Sequence, residues 1–531
     1  MSRRRAPRRT RAGTRRRVGV VVLLAGIALG LAGEAALREG APRLLRTDEP
    51  RGAVLLPGAS SPRLSAAQYR AFDPFAFDAA RTDELLARGR AGYAHVLYAK
   101  SPGGVAATAE RVERFRPLIA EVAERNDLDA DSLEALVFLE SAGRPDAVAG
   151  DVEGAVGLGQ IVSGTATSLL DMRVDVAASR RLTRRIARAR ARALVERLLG
   201  RRRRVERRLA ALERRRRAVD QRFDPREALE GTARYLVFAR GRLGRDDLAL
   251  TSYHIGVGSL EEVIRLYVSP RPSRASARET VAEYELSYPR LFYDSSPVRN
   301  PRTHRKLASL GDDSRTYLFR LEAAREILRL HRDNPEELAR LARLHAAKAS
   351  AEEVLRPPED HEPYADPDAV GEAVADGELV ALPARPAAFG LRVDERMGAL
   401  APRLGERPGL YRSLRREALA TLLFVAKETR RIVGGGTLRV TSTVRDRRYQ
   451  RLLVGSNPEA TTNYSLHTVG YAIDLARPRS DAHERALVDV LERLRALRVI
   501  DWVYEPTAIH LTVGPDGERY EPLLTRVPRR T

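Results

Sequence analysis

A helix that has to stop, followed at once by a turn rich in glycine, is the feature that most constrains this chain. Leu133, Leu136 and Val137 form an inward helical face, Asp131 and Glu134 supply a capping box ahead of it, and Gly143 with Pro145 end it. Glu140 and Ser141 therefore fall on the last turn. The stretch Gly154-Ala155-Val156-Gly157-Leu158-Gly159-Gln160-Ile161 follows as a tight loop, with Thr165-Ala166 beyond it. A carboxyl enclosed at such a helix end has its pKa raised by desolvation, which suits a general acid.

Two further blocks lie downstream. Asp224-Pro225, Gly231 and Tyr235-Leu236 lie at and just ahead of a helix read over Leu229 to Leu243, and Ser252-Tyr253-His254-Ile255-Gly256-Val257-Gly258 follows. This ordered set resembles the soluble lytic transglycosylase family, whose pattern is Glu-Ser, Gly-Ala-x-Gly-Leu-x-Gln, Thr-Ala and an Ala-Tyr-Asn-Ala-Gly block. The resemblance implies a lysozyme-like fold. It also implies that Glu140 protonates the oxygen between N-acetylmuramic acid and N-acetylglucosamine, then takes the proton of the muramyl carbon-6 hydroxyl as the ring closes to an anhydro end. On the same basis Tyr253 orients Glu140, while Ser141, Gln160 and the turn backbone line the sugar cleft. His254 stands where the family has Asn. Asp313, Ser314 and Tyr317 fall on a closing helix and are read as structural. A hydrolytic glycosidase uses two flanking carboxylates. Asp146, Asp151 and Glu153 lie in loops, and no motif fixes a second acid.

At 531 residues the chain accommodates two folded units with connecting segments. Cysteine is absent, so any metal is held by His, Asp or Glu. Ser2 to Arg17 is arginine-dense and free of acids, and Val18 to Gly33 is an apolar run. This pairing reads as an export signal or a signal anchor with a cytoplasmic N-terminus. The expected location is the cell envelope outside the cytoplasm, on the membrane. The net charge of +22 is concentrated in the leader and in the run from Arg180 to Arg222. Neither run carries aromatic residues for base stacking, so no nucleic acid is expected; peptidoglycan and an anionic wall polymer are the expected partners.

Composition divides the chain into a basic leader with membrane segment at 1–38, a spacer and helical extension at 39–108, a helical domain at 109–344, a linker at 345–391 and a second domain at 392–531. Within the helical domain, 179–222 is an arginine-rich insertion. Leu182, Ile186, Leu194 and Leu198 share one helical face there, and Val205, Leu209, Leu212 and Val219 another, with Gly200 between them: an antiparallel helical hairpin. The linker is acidic and contains Pro357-Pro358. The second domain has a helix over Leu410 to Ile432, a strand over Thr437 to Ser442, a helix over Asp481 to Leu497 and strands over Trp502 to Glu505 and Ile509 to Val513.

In that second domain, Ser465-Leu466-His467-Thr468-Val469-Gly470-Tyr471-Ala472-Ile473-Asp474 runs from a loop into a strand, and His510 lies on the polar face of the last strand. Convergence of His467, Asp474 and His510 gives two neutral imidazoles and one carboxylate, which leave a fourth zinc position open. The Ser-x-His-x-x-Gly-x-Ala-x-Asp segment resembles the zinc D-Ala-D-Ala peptidases related to the hedgehog fold. The resemblance implies that His467, Asp474 and His510 bind zinc, that Arg445, near Tyr449 and Gln450, holds substrate or the polarised carbonyl oxygen, and that Ser465 lines the site. The base implied is Glu505, although the family has Glu-x-x-His and this chain has Glu505-Pro506-Thr507-Ala508-Ile509-His510. The fold class expected overall is multidomain: a mainly α lysozyme-like unit, an α+β zinc-peptidase-like unit and an N-terminal membrane segment. A non-catalytic peptidoglycan-binding second domain and a non-catalytic envelope scaffold are the alternatives.

Overall fold

Short-range signals in the sequence place most elements of the first half. The computed structural model describes residues 72–198, 202–268, 275–455 and 464–526. The leader and apolar run at 1–38, the spacer up to residue 71 and Gly200 lie outside them. Among the described residues no helix is long and apolar enough to cross a membrane.

Helix Ala130–Ser141 buries Leu133, Leu136 and Val137 against the helical core. Its cap differs from the predicted box: Asp129 accepts from the Ser132 N–H at 3.0 Å and the Ser132 hydroxyl at 2.7 Å. Glu134 is instead fully buried, where the guanidinium groups of Arg116 at 2.8 Å and Arg332 at 2.9 Å neutralise it. The helix ends as expected, with Ala142 and Gly143 at φ 53° and 69°.

The glycine-rich stretch forms a two-stranded antiparallel ribbon, β1 (Ala155–Val156) and β2 (Ile161–Val162). The predicted insertion is a helical pair, Val176–Leu198 and Arg202–Val219, with Ile186, Ala189 and Leu212 between the arms. Arg222, at its return, is fully buried. Nε and Nη2 grip Asp220 at 2.9 Å each, Nη1 donates to Gly154 O and Ile161 O at 3.0 Å, and Nη2 donates to Val152 O at 2.6 Å. Every guanidinium donor is used, and the ribbon is fastened from inside. Arg222→Met leaves Asp220 buried without its counter-ion, so a loss of about 3–5 kcal/mol is expected, measurable as a fall in thermal midpoint.

The second half centres on a five-stranded sheet whose neighbouring strands are, in order, Leu391–Val393, Leu438–Ser442, Ala472–Ala476, Ala508–Val513 and Ile500–Tyr504. A separate pair, β3 (Leu379–Ala381) and β5 (Ser413–Arg415), lies beside it. Strand β4 (Leu391–Val393) runs parallel to β6 (Leu438–Ser442), whereas β7 (Ala472–Ala476), β9 (Ala508–Val513) and β8 (Ile500–Tyr504) pair antiparallel. Leu438 and Val440 face the core as the alternation predicts. The predicted 410–432 helix begins only at Arg416, because residues 413–415 are taken by β5.

The stretch predicted as linker is folded. It contains helices Glu352–Leu355 and Pro367–Ala375 and strand β3, and it buries Glu352, Val370 and Leu379. The apolar core is continuous from the mainly helical half into the α+β half. Helix Thr82–Gly92 stands at the seam: a Cβ on Gly89 would lie 2.4 Å from the Phe319 ring, and one on Gly92 would lie 2.2 Å from the Arg495 carbonyl oxygen. Arg88 pairs with Asp516 at 2.7 Å and Arg493 with Asp73 at 2.5 Å, while Phe72 and Phe75 pack on Phe424 and Tyr520.

Candidate active site and metal centre

Glu140 is half-buried on the last turn of its helix, and the Tyr317 hydroxyl donates to its Oε1 at 2.7 Å. Tyr317 opens helix Tyr317–Asp333 and stacks on the His254 ring with centroids 5.0 Å apart. Burial, reinforced by the Glu140 charge, holds the Tyr317 phenol well above its usual pKa, so it stays a neutral donor. Sequence reasoning gave this role to Tyr253 and read Tyr317 as structural. Tyr253 instead donates to Gly159 O at 2.6 Å and meets the Thr232 hydroxyl at 3.2 Å. Burial and then the Glu140 charge raise its pKa as well, so Tyr253 stays a neutral donor that braces the glycine turn.

The glycines fit that packing. A Cβ at Gly157, whose φ is 76°, would lie 1.9 Å from Arg222 O, and one at Gly159 would lie 2.2 Å from the Thr232 hydroxyl. Gln160 adopts φ 47° and returns its amide to Gly157 O at 3.0 Å, so its side chain ties the turn. Ser141, expected to line the cleft, is buried and donates to Val137 O of its own helix at 3.1 Å. The nearby acids are engaged by the insertion: Asp151 with Arg180 at 2.8 Å, Glu153 with Arg180 at 3.2 Å, and Asp146 with Arg190.

The second constellation assembles around one oxygen. His467, Asp474 and His510 offer ligand atoms within 4.8 Å of one another. Asp474 Oδ1 lies 3.2 Å from His467 Nε2 and 2.8 Å from His510 Nδ1. Strand register accounts for this, since Asp474 on β7 pairs with His510 on β9 and His467 enters from the 3-10 turn Leu466–Val469. The outer ring atoms fix the tautomers. His467 Nδ1 donates to Thr443 O at 2.7 Å, and His510 Nε2 donates to Glu352 Oε2 at 2.8 Å.

Each inner nitrogen therefore presents a lone pair toward a carboxylate oxygen once the rings are neutral. The three side chains form a group able to hold a metal ion, with a donor set free of sulfur. Burial, helped by the Arg445 charge, lowers the His467 pKa and keeps that ring neutral. At His510 burial acts the same way, but the hydrogen bonds to Asp474 and Glu352 outweigh it, and the pKa is pushed up to about 10.

Arg445 reaches the same cluster from the loop after β6. It donates to Asp474 Oδ2 at 2.9 Å, to the Ser442 hydroxyl at 2.7 Å and to Gln450 at 3.2 Å, so it orients the Asp474 carboxylate. Tyr449 sits on helix Arg447–Val454, which Asp446 caps. Ser465 is buried at the start of the His467 turn, where its carbonyl accepts from Thr468. Glu505 closes the β8–β9 hairpin through its N–H to Ala508 O at 2.9 Å, whereas the residue opposite His510 in register is Val503. The two extra residues before His510 carry Glu505 to the hairpin tip. Glu352, which sequence reasoning left in a linker, is the carboxylate held against His510. The sequence matches no protein-family model and no curated protein.

Proposed function

We propose that the chain is an exported peptidoglycan-processing enzyme, a lytic transglycosylase cutting N-acetylmuramic acid–N-acetylglucosamine bonds through a lysozyme-like helical unit. One observation carries the reading: Glu140 is held by a neutral phenol beside the glycine turn, and Asp146, Asp151 and Glu153 are tied to arginines. A single carboxyl can serve as acid and then base when the substrate supplies its own nucleophile. Glu140 gives its proton to the bridging oxygen as the glycosidic bond breaks. The carboxylate then accepts the carbon-6 hydroxyl proton as that oxygen closes on carbon-1, with no water consumed. Tyr317 stabilises the carboxylate in the second half of the cycle.

The experiment is digestion of purified murein followed by mass spectrometry. Anhydro-muramyl ends are expected; reducing ends carrying an added water would make the protein a hydrolase, and intact murein would favour a scaffold. Tyr317→Phe removes one hydrogen bond to a charged group, worth about 1.5–3 kcal/mol. Turnover should fall by roughly 10- to 100-fold with little change in thermal midpoint, as steady-state release of fragments will show.

The second unit is read as a zinc D-Ala-D-Ala peptidase-like site acting on the stem peptides of the same polymer. His467 Nε2, Asp474 Oδ1 and His510 Nδ1 would hold the ion, which when bound supplies Lewis acidity at a substrate carbonyl. Arg445 keeps the Asp474 carboxylate turned toward the histidines. The position of Glu505 at the hairpin tip favours a second reading for this unit alone, a metal-dependent peptidoglycan-binding module. Release of D-Ala from a stem peptide distinguishes the two. In either case the leader reading places the protein at the membrane on the outer side of the cytoplasm, with the arginine hairpin available to an anionic wall polymer.

A further inference from the structure

Glu352 belongs to neither histidine motif and precedes them both, yet it is built into the centre they form. It lies on the short helix Glu352–Leu355, directly after the helical half, and is 3% exposed. A buried carboxylate has to be compensated, and this one is met by three donors. Oε2 accepts from His510 Nε2 at 2.8 Å and from the Thr512 hydroxyl at 3.1 Å, and Oε1 pairs with Lys348. The segment carrying it is fixed in turn: the Ala351 N–H donates to Asp501, whose other oxygen takes Arg495 at 2.7 Å, and Arg356 donates to Val513 O at 3.2 Å.

The geometry separates two roles for this carboxylate. Nδ1 of His510 faces Asp474, and Nε2 faces Glu352, so the imidazole ring stands between Glu352 and the point where the ligand atoms converge. Glu352 therefore acts on the ring. A carboxylate on the outer nitrogen of a ligand histidine fixes the tautomer and orientation and raises the basicity of the inner nitrogen. Thr443 O does the first of these for His467 without a charge.

We propose that Glu352 is the positioning residue of the metal centre, and that metal affinity consequently depends on the docking of residues 348–356. The inference rests on the metal-site reading above. It extends the centre beyond the two histidine motifs to the segment joining the two halves. Linkage makes the dependence reciprocal: if docking of this segment tightens metal binding, bound metal tightens the docking by the same factor.

The test uses the full chain and zinc in competition with a chromophoric chelator, alongside hydrogen–deuterium exchange. Glu352→Gln should bind zinc about 10- to 100-fold more weakly than the wild type and should shift the visible bands of the cobalt-substituted protein. In the wild type, zinc should slow amide exchange across 348–356, a readout that needs no substitution and survives a variant that fails to fold. Equal affinity in a folded Glu352→Gln protein, or unchanged exchange in 348–356 on zinc binding to the wild type, overturns the role of Glu352 and leaves the centre standing. A wild type that binds no zinc overturns the metal reading itself.

Discussion

Glu140→Gln is expected to release anhydro-ended fragments from murein about 10³- to 10⁴-fold more slowly than the wild type, because one side chain performs both proton transfers and each carries a general acid–base contribution. The substitution is nearly isosteric, and the amide oxygen can still accept from the Tyr317 hydroxyl that now reaches Oε1 at 2.7 Å. Stability should therefore change by no more than about 0.5 kcal/mol, so loss of turnover cannot be assigned to unfolding. Mass spectrometry of the digest is the measurement. Equal release by the two proteins would remove Glu140 from the chemistry. Release of water-adding products by the wild type would instead require a second acid, and the arginines on Asp146, Asp151 and Glu153 make those three poor candidates.

Removing His467 should have the largest effect on the second site. His467→Ala deletes one of the three ligands, so zinc affinity should fall by more than the ~10- to 100-fold typical of an outer partner. Elemental analysis after dialysis should find about one zinc per wild-type chain and close to none in the variant. His467 is a better target than Asp474: its ring is neutral, whereas neutralising Asp474 strands Arg445, a side chain only 11% exposed and 2.9 Å away. Chelation of the wild type should leave glycan cleavage unchanged, because the Glu140 site draws no ligand from the metal centre. Loss of both activities on chelation would mean that the centre supports the fold of the whole molecule.

Features carried by local periodicity were legible in the chain. The alternation of Leu438 and Val440 and the hairpin of arginine-rich helices follow from spacing within one or two elements, and the approach of His467, Asp474 and His510 from a turn and the two strands it leads to. What spacing could not reveal depends on partners far away in sequence. Glu134 looks like a capping residue until Arg332, 198 positions later, reaches it inside the core. Tyr317 meets Glu140 across 177 positions, and Glu352 meets His510 across 158. Arg222 shows the converse difficulty. In a run of arginines one member is indistinguishable from its solvated neighbours, and only the carbonyls of Val152, Gly154 and Ile161 single it out. Acidity and prolines made 345–391 resemble a linker, because short helices that bury a few side chains leave little periodic trace.

The helix Thr82–Gly92 has a mechanical consequence. It is the first helix beyond Phe72 of more than a few residues, and it is pressed against Phe319 on one side and Arg495 on the other. A load applied from the N-terminal side enters the molecule at the seam and is shared by both halves, with the Arg88–Asp516 and Arg493–Asp73 pairs as rivets. Among the described residues both halves pack on this helix and share one apolar core, so the faces that carry Glu140 and His467 are tied to a common frame.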